Sequence, residues 1–120
     1  MARKPGAPKL WIRIDLGGDE KIGPGKIELL RAVEEQQSIS AAARAIGMSY
    51  RRAWLLIDAL GKSLGAAVVD THVGGRERGG AVLTPLGREL LAHYDEIQRL
   101  AAKATAPAMR RLATLVRRRR

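Results

Sequence analysis

The amino-acid sequence predicts a mainly α-helical fold with a small β-hairpin wing, a winged helix-turn-helix that ends in a long C-terminal helix. A segment of small residues, "SAAARAIG", is joined through a short turn to a longer amphipathic helix. Two short β-branched runs follow, with the glycine-rich stretch "GGRERGG" between them. A Thr-Pro pair then opens a last helix that carries an apolar stripe. This order of elements is typical of a winged helix-turn-helix.

The composition indicates one small domain with a basic surface. The chain has 120 residues, enough for a single hydrophobic core, and 46% of them are hydrophobic. Aromatic residues make up only 3% and Phe is absent, so Leu, Ile, Val and Ala must build the core. The formal net charge of +10 favours a polyanionic partner, nucleic acid before an acidic membrane surface.

Several function classes receive no support from the sequence. The lack of cysteine excludes disulfides, thiolate metal sites and a cysteine nucleophile. His72 and His93 are isolated from other ligand-type residues, so we expect no metal site and no cofactor. Neither "GGRERGG" nor "GPGK" matches a complete phosphate-binding loop, and we expect no enzymatic activity. No apolar run is long enough for a membrane span or a signal peptide, which favours a cytoplasmic location.

The N-terminal region predicts a flexible basic arm followed by one strand. Residues 1–9, "MARKPGAPK", combine basic residues with proline and glycine, which oppose both helix and sheet. From Leu10 to Leu16 apolar side chains alternate with mainly polar ones, a period typical of a half-buried strand. Glycine and proline between positions 17 and 25 indicate a turn.

The first helix is predicted between Lys26 and Gln36. Apolar residues recur there at helical spacing at Ile27, Leu30 and Val33, and charged residues lie mainly on the other side.

The second and third predicted helices are separated by a tight turn. Ser38 or Ser40 is expected to cap the second helix, and Gly47 lies where a left-handed residue would end it. Ser49 is expected to cap the third helix, which runs to about Leu64. Its buried face is predicted from apolar residues spaced by three and four, namely Ala53, Ile57, Leu60 and Leu64.

The wing and the last helix complete the predicted domain. The runs "AAVVDTHV" and "AVLT" indicate a hairpin whose tip carries Arg76 and Arg78. Thr84 and Pro85 are expected to open the last helix, which reaches about Lys103.

Pro107 is expected to interrupt the last helix, so that a basic tail follows. We therefore divide the chain into a flexible arm at 1–9, one winged helix-turn-helix domain at 10–104 and a basic tail at 105–120.

The first turn of the third helix carries the residues that indicate DNA binding. In a helix-turn-helix, the N-terminal residues of this helix contact base edges in the major groove. Arginine can donate two hydrogen bonds to guanine, which gives about 1–3 kcal/mol of discrimination. We therefore predict that Tyr50, Arg51, Arg52 and Trp54, together with the capping Ser49, contact DNA.

Two further groups are expected to contact the DNA backbone. Arg76 and Arg78 would add affinity and salt dependence from the wing. Ser38 and Ser40 would donate to phosphates near the start of the second helix. Each prediction has a structural alternative: solvation for the arginine pair, core or dimer packing for the two aromatic residues, a flexible turn for the wing, and capping for the serines.

The stretch "AAARAIGMSYRRAW", with "IGPGKIELLRAVEEQQSIS" before it and "LTPLGRELLAHY" after the wing, resembles the amino-terminal DNA-binding domain of the ModE molybdate-responsive regulators. The resemblance covers about Leu10 to Leu100. A looser resemblance to the LysR-type DNA-binding domain rests on the same helices, through "SISAAA", "LGKSLG" and "LTPLG".

The resemblance implies a cytoplasmic transcriptional regulator that forms a homodimer and binds a palindromic operator on double-stranded DNA. By analogy, the helix from Ser49 to Leu64 reads the DNA and the wing from Gly74 to Gly80 supports it. The first and last helices would form the dimer contact.

The ModE pattern is matched only in part. Members carry a carboxy-terminal oxyanion-binding region of small β-barrels, whereas this sequence ends at Arg120 without a segment that predicts a barrel. We therefore expect no molybdate binding in this chain. Two alternatives stay open: a nonspecific nucleic-acid-binding architectural protein, and an interaction module that binds a partner or an anionic membrane through its last helix and basic tail.

Overall fold

The computed structural model describes residues 8–71 and 80–118 and confirms the predicted fold class. An N-terminal hairpin is followed by three helices, and a second hairpin leads into a long final helix. In chain order the elements are β1 (Ile14–Gly17), β2 (Glu20–Ile22), α1 (Pro24–Gln36), α2 (Ile39–Ala45), α3 (Tyr50–Leu64), β3 (Val69–Asp70), β4 (Val82–Leu83) and α4 (Pro85–Arg118). Both strand pairs are antiparallel.

Helix α1 is the centre of the core, because it contacts α2, α3, β4 and α4. The predicted stripe is confirmed, since Ile27, Leu30 and Val33 are at most 1% exposed. Leu29 and Ala32 are buried as well, so the apolar face is wider than the spacing predicted. Burial of one Leu or Ile side chain stabilises the fold by about 1.5–3 kcal/mol. Helix α1 is therefore the main support for the elements around it.

Serine caps and a left-handed glycine set the ends of α2 and α3. Ser38 Oγ accepts a hydrogen bond from the Ala41 backbone N–H at 3.1 Å, so the first of the two candidate serines is the cap of α2. Ser49 Oγ accepts from the Arg52 N–H at 3.1 Å, as predicted for α3. Gly47, between the two helices, has a φ of 71°, which favours glycine.

Small residues permit close packing of α2 against its neighbours. Ala42 and Ala43 are at most 1% exposed. The buried stripe of α3 consists of Ala53, Ile57 and Leu60, three of the four residues predicted for it. Because this stripe faces the core, the opposite face of α3 points away from the domain.

The predicted N-terminal strand is correct only in its last residues. Strand β1 starts well inside the expected range Leu10–Leu16, and it pairs with β2, which the sequence assigned to a turn. The first residues of that range are held by α4 instead of by a neighbouring strand. The Tyr94 hydroxyl donates to the carbonyl of Ile12, and the Gln98 amide donates to the carbonyl of Leu10.

Strands β3 and β4 form the base of the predicted wing. The Ala81 N–H donates to the carbonyl of Gln37 at 3.0 Å, which ties this base to the connection between α1 and α2. The wing tip with Arg76 and Arg78 lies outside the described residues, as does the arm at 1–7.

Helix α4 continues through Pro107, so the predicted interruption there is wrong. Proline removes one backbone hydrogen bond, to the carbonyl of Lys103, but the alanine-rich residues around it favour a helix. Most of the expected tail at 105–120 is therefore helical, and the division at residue 104 stays a prediction. None of the described helices, α4 included, has the combination of length and apolarity needed to cross a membrane.

An ion pair joins α4 to α1. The Arg31 guanidinium donates two hydrogen bonds to the Asp95 carboxylate, at 2.8 and 3.1 Å. The hydrogen bond that Arg31 donates to Asp95 is the main reason that the pKa of Arg31 is raised. Both side chains are about half exposed, so the pair contributes only about 0–1 kcal/mol.

We predict that α4 requires Gly87 in order to pack against the wing base. A Cβ on Gly87 would lie 2.2 Å from the carbonyl oxygen of Val68, so the backbone would have to move. Gly87→Ala should lower the free energy of unfolding by about 1–3 kcal/mol, a common cost of overpacking. Urea denaturation followed by circular dichroism measures this change.

Gly25→Ala is the matched control. Gly25 also lies in the first turn of a helix, but a Cβ there would meet no atom within 4 Å. This variant should be at least as stable as the parent, because alanine favours helix more than glycine does. Equal stability of the two variants would contradict the steric role of Gly87.

Candidate nucleic-acid interface

The exposed face of α3 forms the main part of the candidate interface. Helical spacing places Arg51 opposite the buried stripe of α3 and Arg52 at one edge of the exposed face. Tyr50 and Trp54 follow the other edge, four residues apart. The structure therefore brings together the four residues that were predicted on this helix.

The two arginine side chains do not fold back onto the domain. Arg51 and Arg52 are both exposed, and within residues 8–71 and 80–118 neither guanidinium has a hydrogen-bond or ion-pair partner. The first turn of α3 contains no acidic residue. The guanidinium donors of both residues can therefore bind an acceptor outside the domain.

Three large apolar side chains are exposed beside the arginine pair. Tyr50 is 56% exposed, Trp54 45% and Leu55 49%. Core packing within the domain, the structural alternative for the aromatic residues, does not account for this exposure. Leu55 was not predicted as a site residue. Its position four residues after Arg51, outside the buried stripe, is a signal that could have identified it.

The three serines of the candidate interface lie at the starts of α2 and α3, but their side chains differ in the hydrogen bonds that they make. The side chains of Ser38 and Ser49 cap α2 and α3, so helix capping alone is enough to explain why serine occurs at both positions. Ser40 lies in the first turn of α2 and is partly exposed, and its hydroxyl has no hydrogen-bond partner among the described residues. Phosphate contacts by these serines stay a prediction.

An open cleft of about 500 Å³ lies between the Trp54 edge of α3 and the segment 65–69. Among its described lining residues only Asp58 and Lys62 are charged, and they bind each other at 3.0 Å. The described part of the chain contains no group of three His, Cys, Asp or Glu side chains that could hold a metal ion.

A family comparison matches most of this architecture. The family described as "Bacterial regulatory helix-turn-helix protein, lysR family" matches residues 25–88, more than half of the chain. The matched region includes α1, α2, α3, both strands of the wing base and the first turn of α4.

Curated relatives with similar sequences include molybdenum-related proteins. The chain is 45% identical over 83 residues to the molybdenum-pterin-binding protein MopB of Rhodobacter capsulatus, which covers 69% of this chain and 31% of that protein. It is 42% identical over 71 residues to the molybdenum transport protein ModE of Herbaspirillum seropedicae, and the match covers 59% of this chain and 26% of that protein. It is 36% identical over 81 residues to the DNA-binding transcriptional dual regulator ModE of Escherichia coli K12, and the match covers 68% of this chain and 31% of that protein.

The predicted resemblance to ModE-type proteins is confirmed over this region. The chain spans about a third or less of the length of these three relatives.

Two solved structures have the same fold. The DNA complex of the CbnR DNA-binding domain superposes with a TM-score of 0.55 at 24% identity, covering 70% of this chain and 91% of that chain. CbnR, a LysR family transcriptional regulator, superposes with a TM-score of 0.53 at 24% identity, and the match covers 70% of this chain and 27% of that chain. At this identity the likeness establishes the winged helix-turn-helix fold.

We predict that the two serines near the start of α2 differ in their contribution to stability. Ser38→Ala removes the acceptor of the Ala41 N–H and should lower the free energy of unfolding by about 1 kcal/mol. Ser40→Ala is the matched control, because its hydroxyl makes no described hydrogen bond, and it should change stability by less than about 0.5 kcal/mol. Thermal unfolding of both variants checks this, and equal losses would argue against capping by Ser38.

Proposed function

Because the chain belongs to the lysR family of bacterial regulatory helix-turn-helix proteins, we propose that it is a sequence-specific DNA-binding transcriptional regulator with α3 as its recognition helix. The observation that carries the proposal is the exposure of Arg51 and Arg52 at the start of a helix whose other face is buried. The net charge of +10 adds attraction to the phosphate backbone.

The residues of the interface have different proposed roles. Arg51 and Arg52 donate to guanine O6 and N7 in the major groove, where a bidentate contact distinguishes guanine from the other bases. Tyr50 and Trp54 contact neighbouring bases from the same helix. The backbone contacts come from the three serines and from the wing arginines, namely Ser38, Ser40, Ser49, Arg76 and Arg78.

The last two turns of α3 are less suited to a groove of DNA. Asp58 lies on the exposed side of α3 and binds Lys62, so this pair presents no net positive charge to phosphates. The base contacts are therefore assigned to the first two turns, which agrees with the way helix-turn-helix proteins use this helix.

We further propose that α4 pairs two copies of the chain. It is about 51 Å long at 1.5 Å per residue, and much of its length extends beyond the core. Four large apolar residues on it are 43% to 52% exposed, namely Ile97, Leu100, Leu112 and Leu115. An exposed apolar helix face of this kind is typical of an association surface.

The charges on α4 indicate an antiparallel pairing. Every seventh residue of α4 from Glu89 is charged and exposed, and together these residues form the charge stripe Glu89, Glu96, Lys103, Arg110 and Arg117. A heptad row of this kind stays on one side of a helix when two helices supercoil around each other. The stripe is acidic at its start and basic at its end. Two antiparallel copies would place the acidic half of one stripe against the basic half of the other. At its acidic end the stripe lies beside Ile97, one of the exposed apolar residues of α4.

A dimer with two-fold symmetry is expected to bind an operator with the same symmetry, that is, a palindrome. The two recognition helices would enter successive major grooves about 34 Å apart, which corresponds to an inverted repeat with half-sites one helical turn apart.

Such a regulator acts on the bacterial chromosome, so we propose a cytoplasmic location and no enzymatic role. Molybdate binding is not transferred from the names of the relatives, because the shared region is at most 31% of their length in the three comparisons.

The rival function is nonspecific binding as an architectural protein. Only the net charge favours it, since charge attracts any polyanion. Selection of binding sites from a random duplex pool separates the two functions. A preferred inverted repeat supports the regulator, whereas equal binding to all duplexes and to single strands supports the rival.

We predict that the arginine pair contributes to specificity. Arg51→Ala and Arg52→Ala should each weaken binding to the selected site by about tenfold or more, the loss of one bidentate contact, and weaken binding to random duplex less. Fluorescence anisotropy with both DNAs measures the ratio.

Arg99→Ala is the matched control, because Arg99 is an exposed cation on α4, away from the recognition helix and off the charge stripe. It should lower both affinities to a similar, small extent. Equal losses on both DNAs for Arg51→Ala and Arg52→Ala would reassign these residues to phosphate contacts.

We predict that reversal of one half of the charge stripe prevents self-association. Glu89→Lys with Glu96→Lys makes the stripe basic throughout, and Arg110→Glu with Arg117→Glu makes it mainly acidic. Each double variant should be monomeric at concentrations where the parent is a dimer, because like charges then face each other. An equimolar mixture of the two variants should dimerise again. Sedimentation velocity measures all three samples.

Arg44→Glu is the control, because it makes the same change of charge at an exposed residue of α2, away from α4. It should leave the dimer intact. Double variants that stay dimeric alone, or that fail to associate when mixed, would contradict the antiparallel arrangement.

A further inference from the structure

Three large apolar side chains on the exposed face of α3 are grouped here as the apolar ridge: Tyr50 and Trp54 lie one turn apart along one edge, and Leu55 lies one turn after Arg51, on the other side of that arginine. Each of them is about half exposed, and Arg51 lies among them. A helix face that only meets water usually carries charged or small polar residues, whereas clustered large apolar side chains mark a binding surface. The DNA contact derived above uses the arginine donors but does not explain why an aliphatic side chain accompanies them.

The chemistry of Leu55 limits what it can recognise. Its side chain has no hydrogen-bonding atom, so it cannot bind the donors and acceptors that distinguish guanine, adenine and cytosine. In the major groove the apolar feature of the base pairs is the C5 methyl group of thymine. Tyr50 and Trp54 each add a large apolar surface, which also suits a methyl group.

The position of the ridge agrees with this partner. Side chains on a helix lean toward its N-terminus, so Trp54 and Leu55 cover the turn that contains Tyr50 and Arg51. This is the turn assigned to the base edges. The Asp58–Lys62 ion pair begins two turns after Tyr50 and Arg51, so the apolar surface is limited to the first two turns.

We propose that the apolar ridge reads the C5 methyl of a thymine next to the base pair contacted by Arg51. The preferred half-site would then contain a thymine beside a guanine or its paired cytosine. This inference rests on the proposed function, since it requires α3 to lie in the major groove.

Replacement of thymine by deoxyuridine tests the inference. Deoxyuridine lacks the C5 methyl but keeps the pairing edge of thymine, so only the apolar contact changes. The duplex selected from the random pool is synthesised with each thymine replaced in turn, and the affinity of the full chain is measured for each duplex. At one or more positions in each half-site, the replacement should weaken binding by about fourfold, which corresponds to the burial of one methyl-sized group.

Variants of the ridge then show which side chain contacts the methyl group. In Leu55→Ala or Trp54→Ala the penalty for deoxyuridine should disappear at that position, because the contact is already lost. Tyr50→Phe should keep the penalty, since it retains the ring and loses only the hydroxyl. Leu16→Ala, which shortens another exposed leucine that lies on β1 and outside the first two turns of α3, is the matched control and should also keep it.

The outcomes separate this inference from the proposed function. A preferred site whose affinity is unchanged by deoxyuridine at every position would overturn the methyl contact and leave the regulator in place. A penalty that persists in Tyr50→Ala, Trp54→Ala and Leu55→Ala would assign the methyl to another part of the protein and also overturn the inference. The absence of any preferred site would overturn the proposed function, and the inference with it.

Discussion

Burial of one face of α3 is the constraint on which the rest of the structure depends. The buried stripe of α3 packs on α1 and α2, and Ala42 and Ala43 of α2 permit a close approach. A helix held in this way cannot rotate about its own axis without exposing apolar side chains and burying charged ones. The outward direction of Arg51 therefore follows from the packing on the opposite side of the helix.

The ends of α3 could be predicted because their signals are local. Ser49 supplies an oxygen to an N–H three residues later, and Gly65 supplies the left-handed φ of 81° that ends the helix. The buried stripe of α3 is also a local signal, because its residues are only three or four positions apart. Leu55 could have been found in the same way, because helical spacing places it outside the buried stripe although it lies in the apolar run "WLLI". Its side chain is exposed, whereas that of Ile57, two residues later, is buried.

The errors of prediction have two different physical causes. At the N-terminus the decisive contacts are distant in sequence: Tyr94 and Gln98 bind the carbonyls of residues 82 and 88 positions earlier, and no local pattern reveals this. At Pro107 the expected break gave too much weight to one missing hydrogen bond. The helix on either side is maintained by its own backbone bonds and by alanines that favour them.

Net charge indicated a class of partner without locating a surface. Arg31 and Lys62 each bind a carboxylate of the same chain, and in the proposed dimer the basic end of the charge stripe faces the acidic end of the second copy. Pairing leaves the net charge of +10 unchanged, because that total already counts the carboxylates, but it reduces the number of cations that can contact DNA directly. A nonspecific binding protein depends mainly on the amount of charge, whereas a protein that reads sequence needs donors in a fixed direction. Arg51 and Arg52 meet that second requirement, because the buried stripe of α3 fixes the helix that carries them.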